Sequence, residues 1–488
     1  MTKEVLLRPQ VAAITVDLGQ MMSTTRRNVI VVMSDTLRTA YLGCYGNQKI
    51  HTPNIDLFAS SATIFTEVYP ESLPTIPVRR AIHTGRRAYP FRNYRPVPWD
   101  IVYLPGWQPM ADDESTLAED LVAAGYHTGF VTDTLPYFAP AMNFTRGFRQ
   151  WEFIRGKQND RWKSVYIADP NRMNRTSGAT KADPYNLARC HIANTDGRMD
   201  KDTCCAGRSF RWAIDFLSDN ASVPFYLLVD VFDPHEPWDA PPEFYYMYAD
   251  RNYRGQTVVH TPYTRDLGGL TEEQVHDVIA HYSGQVSLVD YWFGRLLDAL
   301  NKQDLEDKTT VIFTSDHGTN LGDNLWRVIG KPDWALLPGT MHIPLIVRDG
   351  RFPSSAGQRV EGLRYNIDVP ATVYEVAGAT SRQPIHGRSL LPALAGIQNE
   401  ALPYLTCRYG DTVWYRDSRW WVFGRIDRSS FHVFDLANDP DFQHDLADKT
   451  DDIIELAWRR ILNDAGGEIP KYSTKSQTDA IGQTKVRY

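Results

Sequence analysis

Long apolar runs are missing from the 488 residues: stretches such as Val29–Met33 and Phe225–Val229 fall far short of the ~18 consecutive apolar residues a membrane span needs. No membrane span is expected. Cysteine is sparse. The five present (Cys44, Cys190, Cys204, Cys205 and Cys407) are odd in number, two are adjacent, and they do not look like a disulfide framework, so a reducing cytoplasm is the default location. Positive charge is not in excess either: Lys and Arg total 52 against 59 Asp and Glu, a net charge of -7. No global basic field recommends nucleic acid or anionic lipid as a partner, and any anion must be held by a local site. Residues 1–27 contain Lys3, Glu4, Arg8 and Asp17, with no long apolar stretch and no small-residue cleavage signal, so a secretory leader is not expected there. Without one, the glycosylation patterns at Asn143 and Asn174 are read as chance.

What is present is an ordinary globular composition, 42% hydrophobic and 23% charged. At ~150 residues per domain the length allows up to about three domains, or one large α/β unit with an appendage. Short apolar runs alternate with helix-like stretches, the sign of a mostly parallel sheet covered by helices. Strands are expected at Asn28–Met33, Thr128–Val131, Phe225–Phe232, Thr310–Thr314 and Ile343–Val347. Thr116 and Glu119 form a capping-box pattern for a helix ending at Gly125, and a long amphipathic helix is expected from about Glu272 to Leu300. Residues from about 155 to 205 are polar and without sustained periodicity, an inserted excursion. After about Leu394 the texture changes: Trp414, Arg419–Phe423 and Phe431–Asp435 read as antiparallel strands, followed by a helix around Asp452–Leu462. The expected organisation is an extension over 1–25, a catalytic unit over 26–398, and a small antiparallel α+β subdomain with a tail over 399–488. From Gly467 the tail is polar and reads as a loosely ordered or docking arm.

Several strands run into groups that can handle metal or phosphate. Val29–Met33 leads into Ser34 and Asp35, Val311–Thr314 into Ser315, Asp316, His317 and Gly318, Phe225–Phe232 into Asp233, Pro234 and His235, and Phe130–Val131 into Thr132 and Asp133. Ligands of open α/β sheets bind beyond the carboxyl ends of the strands, so these groups are expected to converge on one crevice. Asp35, Asp316 and His317 would offer two hard oxygens and an imidazole, a set suited to Mn²⁺, Zn²⁺ or Ca²⁺. A single Asp after a strand is usually a cap or turn former; convergence carries the reading. Thr75-x-Pro77-x-Arg79 reads equally as a capped helix start and as a hydroxyl with an arginine one turn later on the same face, placed to neutralise an anion that the hydroxyl attacks. Asp133 reads as a turn or supporting group, His342 as a packed structural histidine, and Trp107, Trp238, Tyr245 and Tyr246 more readily as core than as an aromatic pocket.

Together, Asn28–Asp35–Arg38, Leu42–Gly46, Thr52–Asp56, Thr75-x-Pro-x-Arg79, Thr84–Arg86, Asp233-Pro-His235, Ser315-Asp-His-Gly318, Gly330-Lys331, Ile343–Val347, His386–Leu390 and Phe434–Pro440 resemble, in order, the sulfatase branch of the alkaline phosphatase superfamily over roughly residues 26–450. The resemblance implies an alkaline-phosphatase-like sheet and one divalent metal held by Asp35, Thr75, Asp316 and His317. It also implies Arg79 and Lys331 around the non-bridging oxygens of the substrate, and His235 near the leaving group.

Two departures bear on the chemistry. Sulfatases convert a Cys or Ser at the first position of that motif to formylglycine; here the position is Thr75, and no cysteine is followed by x-Pro-x-Arg, so no formylglycine is expected. A threonine sulfate would be cleared only by a second attack at sulfur or by C–O cleavage, whereas a threonine phosphoester can be displaced at phosphorus by water. In addition, Thr132-Asp133-Thr134-Leu135 stands where typical sulfatases carry Gly-Lys-x-His, which makes phosphonate monoester hydrolases the nearer comparison. The expected function is a metal-dependent hydrolase that uses Thr75 as nucleophile on phosphodiesters or phosphonate monoesters through a covalent threonine intermediate. The alternatives are a sulfuric ester hydrolase with unmodified Thr75, a phosphotransferase, and a binding protein that kept the fold. The partner is a small anionic ester; a homo-oligomer is left open.

Overall fold

The structure is a computed structural model that describes residues 26–92, 94, 104–139, 141–183, 185–397 and 401–472. The extension over 1–25 and the end of the tail lie outside the described residues. Strands β1 (Asn28–Ser34), β2 (Thr63–Tyr69), β3 (His127–Thr132), β4 (Gln150–Phe153), β5 (Phe225–Val231) and β6 (Thr309–Ser315) run through the first two thirds of the chain. They are followed by a short pair, β7 (Asn320–Leu321) and β8 (Ile329–Gly330), then by β9 (Leu345–Asp349) and β10 (Arg359–Tyr365). Eight of these form one sheet in the order β10-β2-β9-β6-β1-β5-β3-β4, parallel throughout except for β9, which is antiparallel to both neighbours.

Central strands buried on both faces read as continuous apolar runs. In β1 every residue is buried, and alternation divides them: Val29, Val31 and Met33 join one core cluster, Ile30 and Val32 the other. The second cluster is closed by the helix Glu272–Lys302, whose entry is fixed by the reciprocal Thr271 and Gln274 capping box. The box at Thr116 and Glu119 forms as expected and starts the helix Leu117–Ala123. Among the described residues no helix is long and apolar enough to cross a membrane. The five cysteines are free thiols.

A separate antiparallel sheet, β11 (Leu405–Tyr409), β12 (Thr412–Arg416), β13 (Trp420–Arg425) and β14 (Phe431–Asp435), carries the helix Asp451–Asp464. As far as Tyr472 the tail docks: Ile469 is buried and the Tyr472 hydroxyl donates to the Phe91 carbonyl at 2.5 Å. The excursion after Phe153 forms the short helices Pro170–Arg175 and Leu187–Thr195 around a small alanine-rich cluster.

Several expected boundaries move, two of them for a visible reason. The strand read as Ile343–Val347 begins at Leu345, because the Ile343 amide is spent on the Val68 carbonyl and Pro344 has none to give. The one read as ending at Phe232 stops at Val231, where the chain turns and the Phe232 amide donates to Asp133.

Candidate active site

Register creates the site. Ser34 pairs with Ser315 across β1 and β6 and with Val231 across β1 and β5, so Asp35 and Asp316, each one step further on, leave the sheet side by side. The Asp35 amide is anchored on the Val231 carbonyl at 2.9 Å, and the Ser315 hydroxyl accepts the Leu37 amide and donates to the His317 carbonyl. As a result one ligand atom each of Asp35, Asp316 and His317 lies within 4.8 Å of the others, all fully buried. These residues suit a divalent cation. Asp35 Oδ1 has no hydrogen-bond partner. The Nδ1–H of His317 donates to the Gly318 carbonyl at 2.9 Å, which leaves Nε2 as a lone pair facing the carboxylates. Burial, reinforced by Asp316, holds the Asp35 carboxyl well above its ordinary pKa despite Arg79 and Lys331. Burial also lifts Asp316, but His317, Arg79 and the amides of Thr36 and His317 outweigh it and keep its pKa below the usual range. His317 is pushed down to about 4, by burial first.

Thr75 opens the helix Thr75–Thr84, which closes on Gly85 in the left-handed conformation. The Thr75 hydroxyl is 3.4 Å from His317 Nε2, so the nucleophile candidate sits at a helix N-terminus, where the macrodipole favours negative charge, and at the edge of the carboxylate–imidazole cluster. One turn on, Arg79 departs from expectation. Its guanidinium is fully buried and its five N–H groups are already placed. Nε and Nη2 grip both oxygens of Asp230 at 2.9 and 2.8 Å, Nη2 also reaches Asp35 at 3.0 Å, and Nη1 binds Asp316 and the Thr75 carbonyl. Three carboxylates thus take the donors that were expected to meet the substrate; Arg79 organises Asp35 and Asp316 from behind.

The opposite wall is built from loops. His235 follows β5, stacks on Phe232 with ring centroids 4.0 Å apart, and directs Nδ1–H to the Glu236 carbonyl at 2.6 Å. Burial, with Lys331 and His317 close by, pushes this imidazole well below its ordinary pKa, and Glu236 pulls the other way. Lys331 reaches the wall through the β7–β8 hairpin: Asn320 pairs with Gly330, which returns the chain to the level it left at His317. Gly330 has a φ of 77°, and a Cβ there would run into the Tyr263 ring, so this turn admits glycine alone. The Lys331 ammonium is buried, 3.0 and 3.1 Å from the two Glu236 oxygens and 3.0 Å from the Tyr263 oxygen. Burial would lift the Glu236 carboxyl, but His235, Lys331, His260 and the Tyr263 hydroxyl hold it well below the usual range.

Other candidates lie outside this constellation. Asp133 accepts the Phe232 amide at 2.7 Å and sits beside Asp233 and Lys157; burial raises its pKa to about 7. His342 bridges the Thr39 hydroxyl and the Thr66 carbonyl and stacks on Tyr69. Trp107 and Trp238 are core, while Tyr245 and Tyr246 line a surface pocket away from the strand ends.

Four residues of the site were not read from the sequence. Asp230 announces itself only as a carboxylate inside an otherwise apolar strand. Glu236 and Tyr263 carry no motif. Thr36 has a φ of 58°, a buried hydroxyl without a hydrogen-bond partner, and an amide that donates to Asp316 at 3.0 Å. A β-branched residue held in that region costs about 1–3 kcal/mol, the kind of strain that collects at functional sites.

A mostly parallel sheet flanked by helices, with acidic and imidazole ligands at the carboxyl ends of β1 and β6 and a separate antiparallel sheet, is the alkaline-phosphatase-like architecture. Residues 27–379 match the family model described as Sulfatase. The chain belongs to the sulfatase family, in the sulfatase branch of the alkaline phosphatase superfamily, and is a hydrolase of ester bonds. It is 26% identical over 450 residues to the "Uncharacterized sulfatase YidJ" of Escherichia coli, covering 87% of this chain and 83% of that one. It is 24% identical over 415 residues to the "Multifunctional alkaline phosphatase superfamily protein PehA" of Trinickia caryophylli, covering 76% and 77%. The fold is shared with the phosphonate monoester hydrolase SpPMH of Silicibacter pomeroyi, at a TM-score of 0.70 and 19% identity over 92% of this chain and 97% of that one.

Proposed function

We propose that the protein is a divalent-metal-dependent hydrolase of phosphodiesters or phosphonate monoesters, with Thr75 as nucleophile. The observation that carries this reading is the Thr75 hydroxyl 3.4 Å from His317 Nε2, at a helix N-terminus and beside two buried carboxylates, in a position that offers no formylglycine precursor. Asp35, Asp316, His317 and Thr75 would hold Mn²⁺, Zn²⁺ or Ca²⁺, and such an ion, when bound, supplies Lewis-acid activation of the threonine hydroxyl and of the ester.

The work of the chain's own residues follows from the geometry. Thr75 Oγ, its proton given up to solvent, attacks phosphorus; the Oγ–P bond forms and the bond to the leaving oxygen breaks. Lys331 has three hydrogens, of which Glu236 and Tyr263 take at least two, so it offers at most one N–H to a non-bridging oxygen. A donor aimed at developing charge is worth about 3 kcal/mol. With Nδ1–H committed to the Glu236 carbonyl, His235 exchanges protons at Nε2. The substrate-free imidazole is neutral; the charge of a bound ester, added to that of Glu236, favours its protonated form. It gives this proton to the departing oxygen and recovers one from the water that displaces phosphorus from Thr75, a shuttle worth ~10²–10⁴ in rate. Arg79 keeps Asp35 and Asp316 in place throughout.

A sulfuric ester hydrolase with unmodified Thr75 is the second reading, favoured by family membership. The test is a panel of nitrophenyl phosphate mono- and diesters, phosphonates and sulfates assayed with Mn²⁺, Zn²⁺ and Ca²⁺ in turn, with the Thr75→Ala variant as control. The proposal expects diesters or phosphonates to be cleaved best and the activity to vanish in Thr75→Ala. Release of sulfate alone would replace it by the second reading.

A further inference from the structure

Beside the lysine that faces the substrate stands a carboxylate that the proposed reaction does not consume. Glu236 is 1% exposed, and everything it touches belongs to the site: Lys331 on both oxygens, the Tyr263 hydroxyl, and His235 Nδ1 at 3.4 Å. Once a bound divalent cation favours the ionised form of Asp35, the carboxylates Asp35, Asp230, Asp316 and Glu236 set four negative charges against the two of Arg79 and Lys331, and the remaining pair is what that cation would cancel. With the cation in place the corner is neutral and keeps no surplus of positive charge. A group with one negative charge enters at modest electrostatic cost. A second negative charge meets Glu236 at close range in a buried site, where like charges interact far more strongly than in water.

We infer that Glu236 is a charge filter, a specificity-determining residue that cancels Lys331 and so tunes the site to singly charged esters over doubly charged ones. Phosphodiesters, phosphonate monoesters and sulfate monoesters share the single charge; phosphate monoesters above about pH 7 carry two, since their second pKa lies near 6. The inference rests on the proposed reading of the site as one for anionic esters, and it selects by charge rather than by leaving group.

The test uses two esters with one leaving group, phenyl methylphosphonate (one charge) and phenyl phosphate (two), at about pH 8. Binding is measured by calorimetry in a Thr75→Ala background, with and without Mn²⁺, and kcat/KM is measured with Thr75 intact. Glu236→Gln keeps the shape and removes the charge; it is expected to shift the preference toward phenyl phosphate by about tenfold in both binding and kcat/KM. Lys331→Met leaves Glu236 uncancelled and is expected to shift the preference the opposite way. Tyr263→Phe loosens the same corner without changing charge and is expected to move the ratio less than about twofold. A merely structural role for Glu236 would weaken both esters alike in all three variants. Binding of both esters with a ratio that no variant moves overturns the inference and leaves the proposed function standing; failure of the unaltered protein to bind or cleave either ester overturns both.

Discussion

The two walls of the crevice are built on opposite principles. The wall of Asp35, Asp316, His317 and Thr75 is set by strand register and a helix start, with one arginine tying three carboxylates together, and each of its members is enclosed. The wall of His235, Glu236 and Lys331 is set by loops: one follows β5, another returns through a hairpin of two-residue strands, and Tyr263 comes from a third segment. Moving a residue of the first wall disturbs the central sheet, whereas moving one of the second alters a loop. If the proposed roles hold, the difference teaches where such a fold keeps its reaction and where it adjusts its substrate: the groups proposed to make bonds stand at the sheet, and those proposed to select charge stand on segments that can change without refolding it.

The sharpest way to break that contrast is Arg79→Ala. Leaving Asp35, Asp230 and Asp316 buried without their shared cation is expected to cost about 3–5 kcal/mol of stability and to abolish activity. Denaturant unfolding and turnover check it; a variant with unchanged stability and activity within tenfold of the parent would show that the first wall does not need its arginine. The metal comes next. Adding Mn²⁺, Zn²⁺ or Ca²⁺ to chelator-treated protein should raise Tm, by about 2.7 kcal/mol of stability at a hundredfold excess over Kd. If the first wall alone holds the ion, as proposed, the shift should vanish in His317→Ala and survive in Lys331→Met. Loss of the shift in both variants would merge the two walls into one unit.

The same contrast explains what could be read in advance. Asp35, Asp316, His317 and Thr75 were legible because a polar group directly after an apolar strand, or before a helix, has few positions to occupy. Asp230 was not, since a carboxylate one residue inside β5 looks like part of the strand until Arg79 is seen reaching for it. Arg79 itself was identified, but its carboxylate partners were not: one helical turn from Thr75 fixes its face, not which carboxylates will take its donors. Glu236 and Tyr263 depend on pairings 95 and 68 residues away with Lys331, which no local pattern encodes. The edge strands β4 and β10, and β2 beside β10, also went unread, their charged residues interrupting the apolar pattern that exposes a central strand.

A smaller effect probes the enclosure of the first wall through pH. His83 lies behind Arg79, its ring edge-on to Phe130, Phe144 and Phe148, and burial, aided by the Arg79 charge, pushes its pKa down to about 3. A depressed histidine stabilises the fold fully above its ordinary value of about 6.5, and this contribution is lost as pH falls toward 3, because the unfolded chain takes up the proton first. At pH 5 the loss amounts to about 2 kcal/mol. His83→Phe should flatten the dependence of Tm on pH between about 6.5 and 4 relative to the parent; an unchanged slope would mean that water reaches the ring.

The smallest effect tests whether the walls are separable at all, because two adjacent residues of β11 reach one wall each. Tyr409 of β11 donates its hydroxyl to the Lys331 carbonyl at 3.1 Å, while its neighbour Arg408 accepts the Leu73 amide at 3.0 Å, two residues ahead of Thr75. The antiparallel sheet therefore holds the nucleophile's approach by backbone and the lysine's by a side chain. Tyr409→Phe removes only the second hold, at a cost of about 1 kcal/mol in stability. If the second wall positions the ester and the first performs the reaction, KM should rise by roughly fivefold with kcat little changed, the signature of lost ground-state binding. A fall in kcat at constant KM would mean that the disturbance has passed along β11 to Leu73 and Thr75, so that the loops and the sheet act as one mechanical unit.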